Sequence, residues 1–441
     1  MIGPLDVASV FRLAARHARA RREDLVAFQD GRLRRLIAHA HASVPYYRAL
    51  LDREGLVPDR VRGATDLVRL PVTTRRDLQR APAEARLARG VDARRLIVHR
   101  TSGSTGEPLS VRRTWLEERV TSAFRLRAHR SFGLGVRDLR VRLVLPRPRD
   151  ERNWEGPQRL LRRLGVLHKA QLDRRLPPRE LLERLRALGP DAISGTPGVL
   201  VRLAAAMARE WPGAVRPRMV LSGGDVLTSA MRRSIEASFD ARVYDQYGSY
   251  EFGPIAWECA RTGGYHVADD NVVLEVLKDG RAAEAGESGE VVATGLHGFA
   301  SPFIRYRLGD VVTRGETPCP CGAPFSTLLA VHGRVQDYLP LANGRLFLGT
   351  ELVPLMLAHP TPWVAQHQIV QERPDKLVLR IVPLVTPPDG ALATLERGAR
   401  ERLGPGIDLE VLVVSDIPLE GDGKFRVARS HVTSLYDRAD A

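Results

Sequence analysis

Strand-like and helix-like segments alternate along the chain between residues 136 and 240. The segment 139–145 has the apolar and basic alternation of a strand, while 179–188 and 199–210 have helical spacing. Another short apolar run, 219–221, leads into Gly-Gly-Asp. Strands that alternate with helices form α/β sheets, and ligands bind near the carboxyl ends of such strands. The alternation therefore predicts an α/β fold.

Two other regions have different residue patterns. Residues 7–47 have helical spacing that Ser43-Val44-Pro45 ends, and the chain after residue 270 becomes rich in strands among glycines. A smaller α/β unit follows residue 333. We predict an amino-terminal domain 1–333 and a carboxy-terminal domain 334–441, with a hinge at about 333–338. The strands expected after residue 270 are 272–277, 290–294, 303–307, 377–382 and 409–414, with a helix at 391–403.

Length and composition exclude several classes of protein. The 441 residues are enough for two or three domains, and charge interrupts each apolar run before it reaches membrane-spanning length, so no membrane association is predicted. Three cysteines are too few for a disulfide framework. The first 24 residues carry charge throughout and contain no apolar leader core. We expect a protein of the reducing cytoplasm.

The formal net charge of +15 comes from arginine: the chain has 63 arginines and four lysines. This ratio is typical of a general arginine preference, and no stripe of interleaved aromatic and basic residues accompanies the charge. We therefore predict no nucleic-acid partner.

The segment Thr-Ser-Gly-Ser-Thr-Gly-Glu-Pro at 101–108 is suited to binding a polyphosphate. Its small residues allow backbone amides to approach an anion closely, and four hydroxyls add donors. It is not a Walker P-loop, because that motif requires a lysine where Glu107 follows Gly106. A flexible Ser/Gly-rich loop is the alternative interpretation.

All three cysteines fall near one histidine in a pattern typical of a metal site. Cys259 and His266 are followed by Cys319-Pro320-Cys321-Gly322, which supplies three thiolates and an imidazole, enough for a closed tetrahedral Zn²⁺ site. Such a site leaves no position for water, so the ion would be structural. Buried reduced cysteines with a hydrogen-bonded histidine are the alternative.

Four further segments follow the 101–108 loop in a fixed order. Together with that loop, they resemble the motifs of the adenylate-forming superfamily, and more narrowly its phenylacetate-CoA ligase and capsule-biosynthesis adenylyltransferase-like branch. The segments are Tyr247-Gly248-Ser249-Tyr250-Glu251, Arg305-Tyr306-Arg307-Leu308-Gly309-Asp310, Gly333-Arg334-Val335-Gln336-Asp337 and Gly423-Lys424.

The resemblance implies a nucleotide site. In that family the Ser/Thr/Gly loop binds the ATP phosphates, a Gly-Gly-Glu turn lies beside the adenine, a tyrosine stacks on the adenine and an aspartate accepts the ribose hydroxyls. The positions that match these roles are Ser102, Gly103, Ser104, Thr105 and Gly106 for the phosphates, Gly223, Gly224 and Asp225 for the turn, Tyr247 with Gly248 for the adenine, and Asp310 for the ribose.

The resemblance also implies catalytic residues. Glu251 would hold Mg²⁺, and Arg334 would lie near the ribose and phosphate. Lys424, one of only four lysines, would stabilise charge on the α-phosphate. Two departures from the family pattern are Tyr250 where a Ser or Thr usually precedes the glutamate, and Asp225 where a glutamate is usual.

The function that follows is ATP-dependent activation of a small carboxylic acid. The resemblance implies an acyl-AMP intermediate, pyrophosphate release and transfer of the acyl group to CoA, with an aryl or arylacetic acid as substrate and a homodimer as the assembly. It also implies a large α/β amino-terminal domain with a β-rich subdomain and a small mobile α+β domain. An amine or a carrier protein as acceptor is the alternative, and a non-catalytic nucleotide- or nucleic-acid-binding protein is a remoter one.

Overall fold

The computed structural model of the chain describes residues 7–100, 109–145, 168–334, 338–356, 358–359, 363–418 and 425–432. The chain forms two compact units. The first contains residues 1–133 and 246–332, and the second contains residues 134–245 and 333–441.

Local sequence explains where several helices begin and end. Thr74 and Thr114 each cap a helix with a reciprocal capping box, to Asp77 and Glu117 respectively, and Gly189 ends another helix in the left-handed conformation. The described α-helices are α1 Val7–His17, α2 Arg22–Ser43, α3 Pro45–Arg53, α4 Arg75–Arg80, α5 Trp115–Ser131, α6 Pro178–Leu188, α7 Pro197–Glu210, α8 Ser229–Phe239, α9 Val353–Met356 and α10 Ala391–Leu403, with 3₁₀ turns at Pro58–Arg60, Ala64–Arg69, Ala93–Arg95 and Gly349–Leu352.

The strands are mostly short and separated by turns. Those described are β1 Ile97–Arg100, β2 Ser110–Arg113, β3 Arg140–Val144, β4 Lys169–Asp173, β5 Ala192–Gly195, β6 Met219–Gly223, β7 Arg242–Ser249, β8 Gly253–Glu258, β9 Tyr265–Val267, β10 Val272–Lys278, β11 Arg281–Ala282, β12 Ser288–Gly295, β13 Tyr306–Arg314, β14 Thr327–Arg334, β15 Tyr338–Pro340, β16 Leu346–Leu348, β17 Val364–Arg373, β18 Lys376–Pro383, β19 Asp408–Val413 and β20 Ala428–Ser430.

The first unit is built on β-strands in the order β11-β10-β12-β13-β14-β9-β8, followed by the end of β7. The pairs β10–β12, β12–β13, β8–β9 and β7–β8 are antiparallel. Leu33, Leu36 and Ile37 of α2 are fully buried and belong to one core cluster with Val273 and Ile304 of the strand region. A β1–β2 hairpin adds a separate two-stranded sheet.

The second unit contains a parallel sheet in the order β6-β5-β3-β4 and a smaller sheet in the order β19-β18-β17-β20. Helix α10 packs on the smaller sheet through Leu395 and Leu403. Helices α6, α7 and α8 supply the core of the parallel sheet, and Phe425 and Val427 from the carboxy-terminal region belong to that same core cluster.

Most of the expected elements are present, with two corrections. The strand expected at 303–307 begins only at Tyr306, because Arg305 has a left-handed φ of 47°. The interruption expected at 43–47 is present, because α2 ends at Ser43, but a further helix, α3, begins at once with Pro45, where a proline fits the first turn. A unit boundary falls at 332/333, and the division into domains 1–333 and 334–441 stays a prediction.

None of the helices within the described residues combines the length and the hydropathy needed to cross a membrane.

Candidate active site

The β7–β8 hairpin of the first unit carries Tyr247, Gly248 and Glu251. The register shifts between Tyr247 and Gly248, and a Cβ on Gly248 would lie 2.4 Å from the carbonyl oxygen of Gly253. No side chain fits at that distance, so the close approach of the two strands requires glycine. Glu251 lies in the turn that joins the two strands.

The side chains of Tyr247 and Asp310 are in contact in the first unit. The Tyr247 hydroxyl donates a 2.6 Å hydrogen bond to Asp310 Oδ2, and both residues are buried. Their strands, β7 and β13, are four places apart in the sheet order, about 19 Å if the sheet were flat. The sheet must therefore curve to bring them together. Because a carboxylate has about four lone-pair sites, the tyrosine bond still leaves acceptor capacity on Asp310.

Glu251 has the properties of a metal ligand. It is half-buried, and among the described residues its carboxylate has no hydrogen-bond or ion-pair partner. A cleft of about 30 Å³ beside it is lined by Arg113, Glu117 and Phe252 among others. That volume is enough to hold ordered water.

The side chain of Arg113, at the end of β2, fixes the backbone around Glu251. Its Nη2 donates to the carbonyl oxygens of Tyr250, at 2.5 Å, and Glu251, at 3.2 Å. The Tyr250 ring stacks on His99, with centroids 5.9 Å apart and planes 20° from parallel. The ring at the position where the family usually has Ser or Thr is therefore stacked on the β1–β2 hairpin.

The β1–β2 hairpin positions both ends of the predicted phosphate loop. Its register runs from Ile97 opposite Arg113 to Arg100 opposite Ser110, so the loop starts and ends at adjacent points. Glu118, on α5, contacts one residue of each strand of the hairpin, His99 and Arg113. Burial opposes its ionisation, but hydrogen bonds and positive charge from His99 and Arg113 hold its pKa at about 2. The predicted loop residues Ser102, Gly103, Ser104, Thr105 and Gly106 lie outside the described residues.

The Gly223-Gly224-Asp225 turn lies in the second unit, at the carboxyl end of β6. Gly224 has a φ of 88°, which glycine adopts without strain. Asp225 Oδ1 accepts from the N–H of Val226 at 3.0 Å, and Oδ2 accepts from the N–H of Phe425 at 2.8 Å. The predicted turn is thus tied to the residue that follows Lys424.

The remaining predicted catalytic residues lie at the edges of the described chain. Arg334 is half-buried at the end of β14 and belongs to the second unit. Lys424 lies outside the described residues, as do hinge residues 335–337.

The structure brings the predicted metal ligands together. The donor atoms of Cys259, His266, Cys319 and Cys321 all lie within 4.8 Å of one another, and Cys321 Sγ is 3.3 Å from His266 Nε2. A zinc tetrahedron with bonds of 2.0–2.3 Å has edges of about 3.3–3.8 Å, and the distance from Cys321 to His266 lies in that range. Burial lowers the pKa of His266 to about 4, so its imidazole is in the neutral, ligating form. The Ala323 N–H donates to Cys321 Sγ at 3.4 Å.

Sequence reasoning did not single out two residues that the structure places beside the predicted motifs. Arg113 follows the phosphate loop on β2, and Phe425 follows Lys424. Strand β2 is only four residues long, and the partners of Arg113 are 137 and 138 residues away. No local signal identifies such partners.

Comparisons with known proteins connect this geometry to a class. No protein-family model matches the chain. The phenylacetate-CoA ligase of Thermus thermophilus is 27% identical over 81% of this chain and 80% of its own length. That of Escherichia coli is 28% identical over 70% of this chain and 69% of its own length. A crystal structure of 2-hydroxyisobutyryl-CoA ligase, in the postadenylation state with R3-HIB-AMP, has a TM-score of 0.75 at 22% identity, covering 93% of this chain and 90% of that one.

The fold is that of the adenylate-forming ligases. In sequence, the chain is similar to the phenylacetate-CoA ligases. These findings confirm the predicted resemblance and the α/β fold class, and the names of the relatives agree with the predicted enzyme class, an AMP-forming ligase.

Proposed function

We propose that the chain is an ATP-dependent ligase that joins a carboxylic acid to CoA, with an aryl or arylacetic acid as its substrate. The carboxylate would attack the α-phosphate of ATP to give acyl-AMP and pyrophosphate, and the CoA thiol would then displace AMP. The sequence relationship over four-fifths of the chain supports the reaction, and the names of the relatives support the class of acid.

The observation that carries the proposal is the contact between Tyr247 and Asp310. Two separate motifs predict one residue for the adenine and one for the ribose of a single nucleotide, and these residues share a 2.6 Å hydrogen bond. The bond orients the Asp310 carboxylate, whose oxygens would accept the ribose hydroxyls. The Tyr247 ring would stack on the adenine.

Glu251 would hold Mg²⁺, since its half-buried carboxylate has no partner among the described residues and the cleft beside it has room for water. Mg²⁺ is bound through one or two carboxylates, substrate phosphates and retained waters, and it offsets phosphate charge. Ser102, Ser104 and Thr105 would donate hydrogen bonds to the phosphates. Lys424 would place its ammonium group on the α-phosphate as charge develops there.

The four Cys/His donors would hold a structural Zn²⁺ ion. Their mutual distances and the neutral imidazole of His266 fit a closed tetrahedral site. Cys259 follows β8, and His266 lies on the paired strand β9, so the ion would tie these strands to the segment 319–321. Reduced thiols, ATP and CoA suit a cytoplasmic enzyme.

The domains 1–333 and 334–441 would change orientation about a hinge at 333–338 between the two half-reactions. In the resembled family the small domain brings its lysine to the phosphates for adenylation and rotates before acyl transfer. The unit boundary at 332/333 supports a junction at this position.

Pyrophosphate release tests the function. Purified enzyme with ATP and Mg²⁺ is assayed against aryl, arylacetic, amino and fatty acids, without and then with CoA. We expect release that depends on an aryl or arylacetic acid and accelerates with CoA. Release with an acid but no effect of CoA would favour an amine or a carrier protein as acceptor. No release with any acid would contradict the proposal.

A further inference from the structure

The segment that follows Lys424 is anchored in the second unit. Phe425 is 1% exposed and lies in the core cluster of the parallel sheet with Leu200 of α7, and Val427 lies in the same cluster. The carbonyl of Arg426 accepts from Gln368 Nε2 at 3.0 Å, and the carbonyl of Val427 accepts from the N–H of Ile369. Residues 425–427 are therefore held by both side-chain packing and backbone hydrogen bonds.

One contact of this anchor comes from the Gly-Gly-Asp turn. Asp225 Oδ2 accepts the N–H of Phe425 at 2.8 Å, across 200 residues of sequence. The N–H of Val226 donates to the other oxygen, Oδ1, at 3.0 Å, which fixes the orientation of the carboxylate. A hydrogen bond from an N–H to a charged carboxylate is about twice as strong as a neutral one.

We propose that Asp225 is a positioning residue for adenylate formation, acting by holding the backbone of Phe425 so that the adjacent Lys424 is delivered to the phosphates. The proposal rests on the proposed function, which assigns Lys424 to the α-phosphate. It gives Asp225 a different task from the adenine contact that the family motif implies.

Chain geometry supports this role. Neighbouring Cα atoms are about 3.8 Å apart, so the hydrogen bond to the Phe425 N–H acts one residue away from Lys424. The bond lies at the amino-terminal end of the anchored segment, at the point nearest the lysine. Loss of the Asp225 carboxylate would leave the Phe425 N–H unpaired and would widen the range of positions open to the lysine. Misplacement of a catalytic group by about 1 Å can cost a hundredfold in rate.

The test compares Asp225→Ala with Asp225→Asn, whose amide oxygen can still accept the N–H. We expect Asp225→Ala to lower kcat for acid-dependent pyrophosphate release by about tenfold to a hundredfold, with KM for ATP changed less than about twofold. Asp225→Asn should recover most of the rate. The matched control is Asp416→Asn, which breaks a 3.3 Å ion pair with Arg202 of α7 but does not involve Phe425; its kcat should equal that of the wild type.

Hydrogen–deuterium exchange of peptides containing Phe425 gives a readout independent of activity. The amide should exchange at least about tenfold faster in Asp225→Ala than in the wild type or in Asp416→Asn, and at an intermediate rate in Asp225→Asn. If Asp225→Ala does not fold, the intermediate exchange and reduced kcat of Asp225→Asn carry the test.

The outcomes separate the two proposals. A wild-type enzyme that releases no pyrophosphate with any acid contradicts the proposed function. An active wild type with unchanged kcat and exchange in Asp225→Ala contradicts only the positioning role. A raised KM for ATP with unchanged kcat and exchange would overturn it in favour of an adenine contact.

Discussion

Strand β8 separates two sites of different character. Glu251 lies just before its start, and Cys259 lies just after its end, six strand residues or about 20 Å away. At the first end, Glu251 and the Tyr247–Asp310 pair are presented with acceptor capacity for a ligand. At the second end, three thiols and an imidazole face one another. The comparison suggests that one end of the strand carries the chemistry and the other carries stability.

Loss of Lys424 should reduce the activity more than any other substitution proposed for the catalytic site. Lys424→Ala should lower the rate of acyl-adenylate formation by about a thousandfold or more, because it removes the positive charge that we propose to act on the α-phosphate in the transition state. Thermal stability and ATP affinity should be nearly unchanged. The measurement is acid-dependent pyrophosphate release together with ATP binding.

Lys376→Ala is the matched control for Lys424→Ala. It removes another lysine of the carboxy-terminal region, one that pairs with Glu372 and Glu410. We expect a rate within about twofold of the wild type, since surface ion pairs contribute little. Near-wild-type adenylation in Lys424→Ala would remove the lysine from the mechanism.

For the Cys/His cluster we expect a loss of stability with little change in activity. Cys319→Ser should release zinc and lower Tm by about 5–10 °C, because a structural metal bound only by the folded state adds its binding energy to stability. The kcat of the enzyme that remains folded at 25 °C should stay within about threefold. Metal analysis and calorimetry provide the measurement. His332→Gln serves as control, because this half-buried histidine of β14 bonds to Thr313 and not to the cluster.

Two results would break the comparison at this end of β8. Carefully purified wild type with less than about 0.1 zinc per chain would argue for buried reduced thiols. A Cys319→Ser enzyme that keeps its Tm but loses its activity would assign the cluster to the chemistry instead.

The stability of the protein at acid pH depends on a histidine of the first unit that is not part of the Cys/His cluster. His297 is half-buried; its Nε2 lies 2.8 Å from the carbonyl oxygen of Asp270, and its Nδ1 lies 3.2 Å from Arg32. Burial, and then the charge of Arg32, lower its pKa to about 4. In the unfolded chain this histidine is protonated below about pH 6.5, whereas in the folded chain it stays neutral down to about pH 4. The free energy of unfolding therefore decreases as the pH falls through this window, by up to about 3 kcal/mol.

Denaturant titrations at several pH values measure this slope. His297→Gln should flatten it in part, since burial also lowers the pKa of His367 in the second unit to about 4. The Asp270 carboxylate contributes at lower pH only, because Arg127 and His17 hold its pKa at about 2 against the effect of burial. An unchanged slope in His297→Gln would show that this histidine does not titrate as its burial implies.

The sequence predicted the features that depend on local spacing. Alternation predicted the strands and helices of the second unit, and the spacing of Cys259, His266 and Cys319-Pro320-Cys321 predicted the four side chains that the structure brings together. It mispredicted the strand at 303–307 because Arg305 takes a left-handed backbone and pairs with Glu275. The partners of Arg113 and Phe425 lie 137 to 200 residues away, and only the folded chain reveals them.

The smallest change in activity is expected for the tyrosine near the Glu251 end of β8. Tyr247→Phe keeps the ring that would stack on adenine and removes only the hydroxyl that bonds to Asp310. The carboxylate then loses one neutral donor, which is worth about 1 kcal/mol, so KM for ATP should rise about fivefold with kcat nearly constant. Tyr250→Phe, at the ring stacked on His99, is the control and should change KM by less than about twofold. A large loss of kcat in Tyr247→Phe would mean that the hydroxyl acts in the chemical step, whereas an unchanged KM would mean that Asp310 keeps its orientation without the tyrosine.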